Sequence, residues 1–152
     1  MNIVQNFYDK LATQYDKLYF DWNTAMEEQS NILKQIFEEN GFNKSAKILD
    51  CACGIGTQAI GMAKAGYDVT ASDISEGELR EAERRAEEYK VKIKFEEADF
   101  RYLAAEFEDK FDIIIAMDNA LPHMLTEGDL EKAVKSMSAQ LKDKGMLVAS
   151  IR

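Results

Sequence analysis

Four short segments of the sequence combine residue types that commonly bind small molecules, and each comes at the end of a strand-like run. The segments are residues 50–57 (DCACGIGT), 72–75 (SDIS), 98–101 (ADFR) and 118–123 (DNALPH). The last contains the only proline and the only histidine of the chain, Pro122 and His123. Because proline fixes its own φ, this segment predicts a loop that keeps one shape around a ligand.

The first segment is a glycine-rich turn preceded by an acid. Gly54 and Gly56 allow a tight turn and close approach to a ligand, and with Ala59 they satisfy the dinucleotide fingerprint G-x-G-x-x-A. Asp50 argues against a dinucleotide, because a carboxylate there would repel a pyrophosphate. It suits an ammonium group, and S-adenosylmethionine carries an ammonium and a sulfonium but no phosphate. The alternative for Asp50 is a turn aspartate at a strand end.

The next two segments fit a nucleoside. Asp73 ends the run YDVTASD, where an acid accepts hydrogen bonds from the ribose hydroxyls of either a nicotinamide or a sulfonium nucleoside. Alternatively, Asp73 only precedes the helix cap at Ser75, which forms a capping-box pattern with Glu78. In the third segment Asp99 and a backbone N–H can meet an adenine edge, with Phe100 packed nearby, although many loops contain Ala-Asp.

Alternating strands and helices must position these segments. Strand patterns cover residues 47–51, 67–72, 91–95, 111–116 and 146–151, and helical patterns cover 58–65, 76–89 and 127–142. Uniformly apolar strands such as IIIAM are typical of a parallel sheet covered on both faces. The sequence therefore predicts a doubly wound α/β fold, in which ligands bind beyond the carboxyl ends of the strands.

The N-terminal part is predicted to be helical. Apolar and tyrosine residues recur at three- and four-residue steps through the first twenty positions, and a second helix covers about 24–39, ending at Asn40-Gly41. A chain of 152 residues with 46% hydrophobic residues is predicted to form a single domain. We predict lid helices over residues 1–40 and a core over residues 46–152.

Composition excludes several classes of function. The net charge of −9 and the mixed-sign helices argue against nucleic acid as a partner. The N-terminus has no basic segment followed by an apolar core, and no apolar run approaches the roughly 20 residues that span a bilayer, so we predict a cytoplasmic protein without a membrane partner. Cys51 and Cys53 are too close for an ordinary disulfide, and one histidine cannot complete a zinc site; we predict small core residues and no metal.

The order and spacing of Asp50 to Gly56, Asp73, Ala98-Asp99 and Asp118-Asn119 resemble the class I S-adenosylmethionine-dependent methyltransferases over essentially the whole chain. CACGIGT, MDNALPHML and GMLVASIR are similar to the glycine and sarcosine N-methyltransferase branch. The resemblance implies a Rossmann-like fold with about five parallel strands in the order 3-2-1-4-5. It also implies S-adenosylmethionine as cofactor, S-adenosylhomocysteine as product, and transfer of a methyl group to the nitrogen of a small-molecule amine, such as glycine or sarcosine.

Site residues are carried over by position. Together with the reasoning on Asp50, the resemblance assigns to the cofactor Asp50, Ala52, Gly54, Gly56, Asp73, Ile74, Asp99, Phe100, Met117, His123 and Trp22. On the acceptor side it implies that Asn119 hydrogen-bonds the amine, that Arg152 pairs with a carboxylate, and that Tyr15 lends a hydroxyl. A base role and a packing role for His123 both stay open.

Two departures from the family pattern lead to further expectations. The stretch WNTAMEEQSNILK offers no clear counterpart of the family's basic residue for the cofactor carboxylate. The family continues into two more strands that are absent here, so we expect the fifth strand to be an apolar edge through which a homo-oligomer can form. The alternatives are a non-catalytic module that binds S-adenosylmethionine or S-adenosylhomocysteine or supports assembly, and an NAD-dependent oxidoreductase.

Overall fold

The computed structural model describes residues 3–18 and 21–151, apart from the side chains of residues 15 and 16. The helices are α1 Ile3–Leu11, α2 Trp22–Glu39, α3 Thr57–Lys64, α4 Glu76–Glu88 and α5 Glu127–Gln140. The strands are β1 Lys47–Asp50, β2 Asp68–Asp73, β3 Lys94–Glu97, β4 Phe111–Ala116 and β5 Leu141–Ala149. Short 3-10 helices cover Ala12–Leu18, Leu103–Ala105 and Leu121–His123. No helix in these two ranges is long and apolar enough to cross a membrane.

The five strands form one parallel sheet in the order β3-β2-β1-β4-β5, which confirms the predicted fold and strand order. β1 lies at the centre, where Asp50 is in register with Ala71 of β2 and Ile115 of β4. The strand order reverses between β1 and β4, because β2 and β3 lie on one side of β1 while β4 and β5 lie on the other. The carboxyl ends of β1, β2 and β4 therefore open at the switch point that such folds use for ligands.

Both faces of the sheet are covered. The alternation of side chains along β4 sends Ile113 and Ile115 into one core cluster and Ile114 into another. The first cluster includes Phe37 of α2, so α2 belongs to the core. α2 and α3 meet at Gly61, where a Cβ atom would lie 1.8 Å from the Ser30 hydroxyl oxygen, so a larger residue would force Ser30 to move.

Several element boundaries differ from the prediction. The first helix changes to a 3-10 helix after Leu11. β3 begins at Lys94 rather than at position 91, because Lys90 adopts a φ of 56° and the Val91 N–H donates to the Ala86 carbonyl at 3.0 Å, which is a helix-ending contact. Val91 therefore packs as an apolar residue beside the helix end instead of starting the strand.

At the other side of the sheet, α5 ends two residues earlier and β5 begins five residues earlier than predicted. The Gln140 side chain donates to the carbonyls of Phe107 and Asp109 at 2.9 and 2.7 Å, which holds the helix end against the preceding loop. Leu141 is already extended and pairs with Phe111, and an irregularity in the register follows before Met146 pairs with Ile113. The sequence pattern instead assigned residues 141 and 142 to the helix.

Candidate functional site

A cavity of about 230 Å³ opens at the carboxyl ends of the strands. Eight of the predicted site residues line it, and they come from the loops after β1, β2, β3 and β4: Ala52, Gly54, Asp73, Ile74, Asp99, Phe100, Met117 and His123. The topology of the sheet thus brings together predicted site residues that lie up to about seventy positions apart in the sequence.

Four predicted residues do not line the cavity. Asp50 is the last residue of β1, Gly56 is the N-cap of α3, and Asn119 lies in the loop after β4 with a left-handed φ of 71°. Trp22 lies in the core, where its Nε1 donates to the Thr57 hydroxyl at 3.0 Å and the Arg85 guanidinium carbon lies 4.6 Å from its ring centre. The side chain of Tyr15, and Arg152 as a whole, lie outside the described residues.

The glycine loop, residues 51–56, has the backbone that its sequence predicts. Gly54 and Gly56 adopt φ values of 50° and 89°, which L-residues with side chains rarely adopt. Gly56 is the N-cap of α3 and offers no side chain to accept from the first helical N–H groups. The loop is anchored to the neighbouring strand by hydrogen bonds from Cys53 N to the Ser72 carbonyl and from Gly54 N to the Asp73 carboxylate.

The cysteines of this loop are core residues, as predicted. Cys51 and Cys53 are free thiols, both buried, and burial raises the pKa of each well above its ordinary value. Among residues 3–18 and 21–151, no group of three or more histidine, cysteine, aspartate or glutamate side chains could hold a metal ion.

Asp50 is a fully buried acid beneath the cavity. Neither carboxyl oxygen has a hydrogen-bond partner of normal geometry within the described part of the chain. Burial raises the pKa of Asp50 to about 8; the N–H of Ala52 opposes this shift, while the charges of Asp73 and Asp118 add to it. A cation bound nearby would favour the ionised form of this group.

Asp73, the last residue of β2, is also buried, but its oxygens are engaged. One oxygen accepts from Gly54 N at 2.9 Å and the other from Ser75 N at 3.0 Å. Burial raises the pKa of Asp73, and the N–H groups of Ser75 and Gly54 oppose that shift. Each oxygen keeps a lone pair for a ligand at the cavity wall.

The cavity is acidic. Its described lining includes five acidic residues, Asp73, Glu78, Asp99, Asp118 and Asp129. The one arginine or lysine among the described lining residues, Arg101, pairs with Asp99 and, at 3.2 Å, with Asp129. With its positive charge already neutralised, the cavity favours a cationic ligand over a phosphate.

The loop after β4 is held by polar contacts that the sequence did not reveal. Asp118 adopts a left-handed φ of 51°, and its N–H donates to the Ser150 hydroxyl at 2.9 Å. Gln58 of α3, a buried lining residue, donates its amide N–H to Asp118 at 2.7 Å and also to Gln29 of α2. Non-glycine residues in left-handed conformations cluster at functional sites, which supports a binding role for this loop.

α1 covers one side of the cavity and contributes Val4 and Tyr8 to its lining. The Tyr8 hydroxyl lies 2.7 Å from the Nε2 atom of His123. Burial, reinforced by the charges of Glu78 and Asp73, raises the pKa of Tyr8, so its hydroxyl stays protonated beside His123. Asp9 accepts from the Ser75 hydroxyl at 2.7 Å and from Gly77 N at 2.9 Å, so polar contacts hold α1 in place.

We expect Tyr8→Phe to speed the release of the predicted product S-adenosylhomocysteine about two- to tenfold, because one net hydrogen bond contributes about 0.5–1.5 kcal/mol. The melting temperature should barely change, since α1 has no buried residue. Stopped-flow fluorescence measures the release rate. Tyr102→Phe, a change at an exposed tyrosine, serves as the control. Equal release rates for both variants would contradict a closing role for α1.

Glu78 is the main lining residue that sequence reasoning assigned elsewhere. The predicted capping box is only half formed: Ser75 Oγ accepts from Glu78 N at 3.1 Å, but Ser75 N donates to Asp73 instead of to the Glu78 carboxyl. The Glu78 carboxyl therefore turns into the cavity wall. No sequence pattern marks Tyr8 or Gln58 as site residues, because their hydrogen-bond partners, His123 and Asp118, lie 115 and 60 positions away.

Comparisons with known proteins agree with this geometry. Residues 48–145 match the family described as "Methyltransferase domain". The chain is 29% identical over 148 residues to a glycine/sarcosine N-methyltransferase of Parasynechococcus marenigrum, which covers 97% of the chain and 51% of that protein. Identity to the glycine/sarcosine N-methyltransferase of Aphanothece halophytica is 26% over 149 residues, covering 97% of the chain and 55% of that protein.

Among solved structures, an S-adenosylmethionine-dependent methyltransferase from Clostridium acetobutylicum superimposes with a TM-score of 0.77 at 27% identity, covering 95% of this chain and 57% of that one. The chain spans about half the length of the curated relatives that it matches. The family match at residues 48–145 includes the loops after β1, β2, β3 and β4 that form the cavity.

Proposed function

The chain belongs to the methyltransferase domain family, and from that premise we propose that it binds S-adenosylmethionine in the cavity and transfers its methyl group to the nitrogen of a small-molecule amine. The observation that carries the proposal is the acidic cavity at the switch point of the sheet, where the only described lining cation is already paired. This charge distribution suits a sulfonium and an ammonium, and it disfavours the pyrophosphate of a nicotinamide cofactor.

The residues present fit the cofactor. The buried carboxyl of Asp50 has no hydrogen-bond partner of normal geometry in the described structure, as expected for a group whose charge awaits a cation. Ala52 and Gly54 would hold the methionine portion, Asp73 and Ile74 the ribose, and Asp99 with Phe100 the base. When bound, S-adenosylmethionine supplies a methyl group activated by its positive sulfur.

The protein then has to orient the acceptor and exclude water, because direct displacement at a methyl carbon needs no nucleophile from the enzyme. Phe100 and Met117 provide apolar cavity wall, and α1 closes over it through Tyr8. The Nε2 atom of His123 is already engaged by the Tyr8 hydroxyl, so we assign His123 a positioning role instead of a base role. Asn119, Arg152 and Tyr15 remain the proposed acceptor-side residues.

Similarity to glycine/sarcosine N-methyltransferases supports a small amine as the acceptor. A glycine-like acceptor would add a carboxylate, which Arg152 is proposed to bind. A cytoplasmic location and a homo-oligomer formed through β5 also remain predictions. β5 is an edge of the described sheet and pairs there with β4, so its other side offers backbone groups to a second strand.

The test is isothermal titration with S-adenosylmethionine, S-adenosylhomocysteine and NAD, followed by methyl-transfer assays with glycine, sarcosine and the uncharged analogue glycinamide. We expect both sulfur nucleosides to bind at least about tenfold more tightly than NAD, and glycine to be methylated faster than glycinamide. Tighter binding of NAD would refute the proposal. Binding without transfer to any amine would leave a non-catalytic binding module.

A further inference from the structure

Glu78 is a buried acid at the cavity for which the proposed mechanism has no use. Its side chain is 2% exposed, lines the cavity, and has no hydrogen-bond partner for Oε1 within the described residues. It lies over the glycine loop, since a Cβ atom added to Gly54 would be 3.6 Å from Oε1. Gly54 N in turn donates to Asp73, so both carboxyl groups approach the same residue of the loop.

The groups that face Glu78 are acidic or neutral. Asp73 on β2 and Asp9 on α1 raise its pKa through their charges, and Tyr8 on α1 and Cys53 in the glycine loop feel the charge of Glu78 in turn. None of the ion pairs among the described residues includes Glu78, Asp73 or Asp9. Asp9 is stabilised as a carboxylate in part by the charge of Arg80. No cation among the described residues acts in this way on Asp73 or Glu78, and two adjacent buried acids cannot both ionise at low cost, so one of them holds a proton.

Hydrogen bonding identifies the protonated member. Asp73 accepts two backbone N–H groups, and Asp9 accepts the Ser75 hydroxyl and Gly77 N, which lowers the pKa of Asp9. Glu78 accepts none, and burial, with the charges of Asp73 and Asp9, raises its pKa to about 9. At neutral pH the site therefore presents a carboxylate at Asp73 and a carboxylic acid at Glu78.

We propose that Glu78 recognises the ribose as a hydrogen-bond donor: its carboxylic acid O–H donates to a ribose hydroxyl whose own proton is accepted by Asp73. This inference rests on the proposed function and adds to it. A hydroxyl group is both donor and acceptor, so one donor beside one acceptor matches it. A deoxyribose would leave either Glu78 or Asp73 without its hydrogen-bond partner. A phosphate on the ribose would be repelled by the charge of Asp73.

The pH dependence of binding follows from this assignment. Above about pH 9 Glu78 loses its proton, so the O–H donor disappears and a second negative charge faces Asp73. Affinity of the wild type for S-adenosylhomocysteine should then fall about tenfold between pH 8 and pH 10, as expected for one proton linked to binding. Glu78→Gln keeps a neutral donor at every pH and should not show this fall.

The experiment is titration of S-adenosylhomocysteine at pH 7.5, 9 and 10 into the wild type, Glu78→Gln, Glu78→Leu and the control Glu76→Gln, which changes an exposed acid in the same helical turn. The amino group of the ligand titrates equally against every protein, so differences between proteins report on the side chain. At pH 7.5 we expect Glu78→Gln to bind within about threefold of the wild type and Glu78→Leu about tenfold more weakly, the loss expected for one buried hydrogen bond.

Parallel pH profiles for the wild type and Glu78→Gln would overturn the donor role while leaving the proposed function intact. Equal weakening of Glu78→Gln and Glu78→Leu would also overturn it, because a charged carboxylate would then be required. Failure of the wild type to bind at any pH would refute the proposed function itself, and this inference with it. The amide hydrogens of α4, followed by hydrogen exchange, show that each variant retains the helix.

Discussion

Asp73→Asn should weaken the binding of S-adenosylhomocysteine about a hundredfold or more. The carboxylate is predicted to accept from the ribose hydroxyls, and hydrogen bonds to a charged group contribute about 1.5–3 kcal/mol each. The substitution also points an amide NH2 group at a backbone N–H, because Gly54 and Ser75 each donate to one of the two oxygens. Loss of ligand contacts and disturbance of the glycine loop act in the same direction.

Titration calorimetry measures this effect, and Asp68→Asn is its control. Asp68 lies at the opposite end of β2 and is exposed, so the same chemical change there should leave the affinity within about twofold. If Asp73→Asn bound the nucleoside as tightly as Asp68→Asn, the ribose would have to be held elsewhere. The proposed hydrogen bond from Glu78 to the ribose would then be refuted as well.

The outcome for Asp73 tests the part of the site that the sequence predicts best. An acid at a strand tip and glycines in the preceding turn are local features, and their relative placement follows from a parallel sheet whose strand order the alternating pattern and the family resemblance predicted. The eight predicted lining residues all lie within seven positions of a strand end. Topology alone brings such residues to one edge of the sheet.

The residues that the sequence did not identify depend on contacts between elements. Glu78 fits a capping box, and only the competing hydrogen bond from Ser75 N to Asp73 releases it to the cavity. The Tyr8–His123 contact requires the docking of α1 on the loop after β4, which no local pattern encodes. The late start of β3 likewise results from Val91 packing beside the end of α4.

Asp50→Asn should stabilise the ligand-free protein at neutral pH. The folded-state pKa of Asp50, about 8, lies above the ordinary value of 3.8, so between these values the folded protein retains a proton that the unfolded chain has lost. The wild type is therefore destabilised progressively as the pH rises from about 4 to about 8, by up to about 1.4 kcal/mol per pH unit. Asparagine has no proton to lose and avoids this effect.

Urea unfolding of both proteins at pH 4.5, 6 and 7.5 measures the difference. Asp9 and Asp112 have lowered pKa values and contribute stability that disappears as the pH falls through those values, but they are common to both proteins and cancel. The advantage of Asp50→Asn should thus grow steadily with pH. A constant difference would mean that Asp50 ionises normally in the folded protein.

Asp50→Asn should also weaken the binding of a cationic ligand, so the more stable of the two proteins should bind S-adenosylmethionine less tightly. A positive group about 6 Å from ionised Asp50 gains about 2–3 kcal/mol at an effective dielectric constant near 20. Ionising Asp50 at pH 7 costs about 1.4 kcal/mol of that gain.

The net difference predicts about tenfold weaker binding of S-adenosylmethionine to Asp50→Asn and unchanged binding of uncharged adenosine. It also predicts that about one proton is released when S-adenosylmethionine binds to the wild type, and none when it binds to Asp50→Asn. Calorimetry in buffers of different ionisation enthalpy measures that proton, and its absence from the wild type would mean that Asp50 does not respond to the ligand's charge.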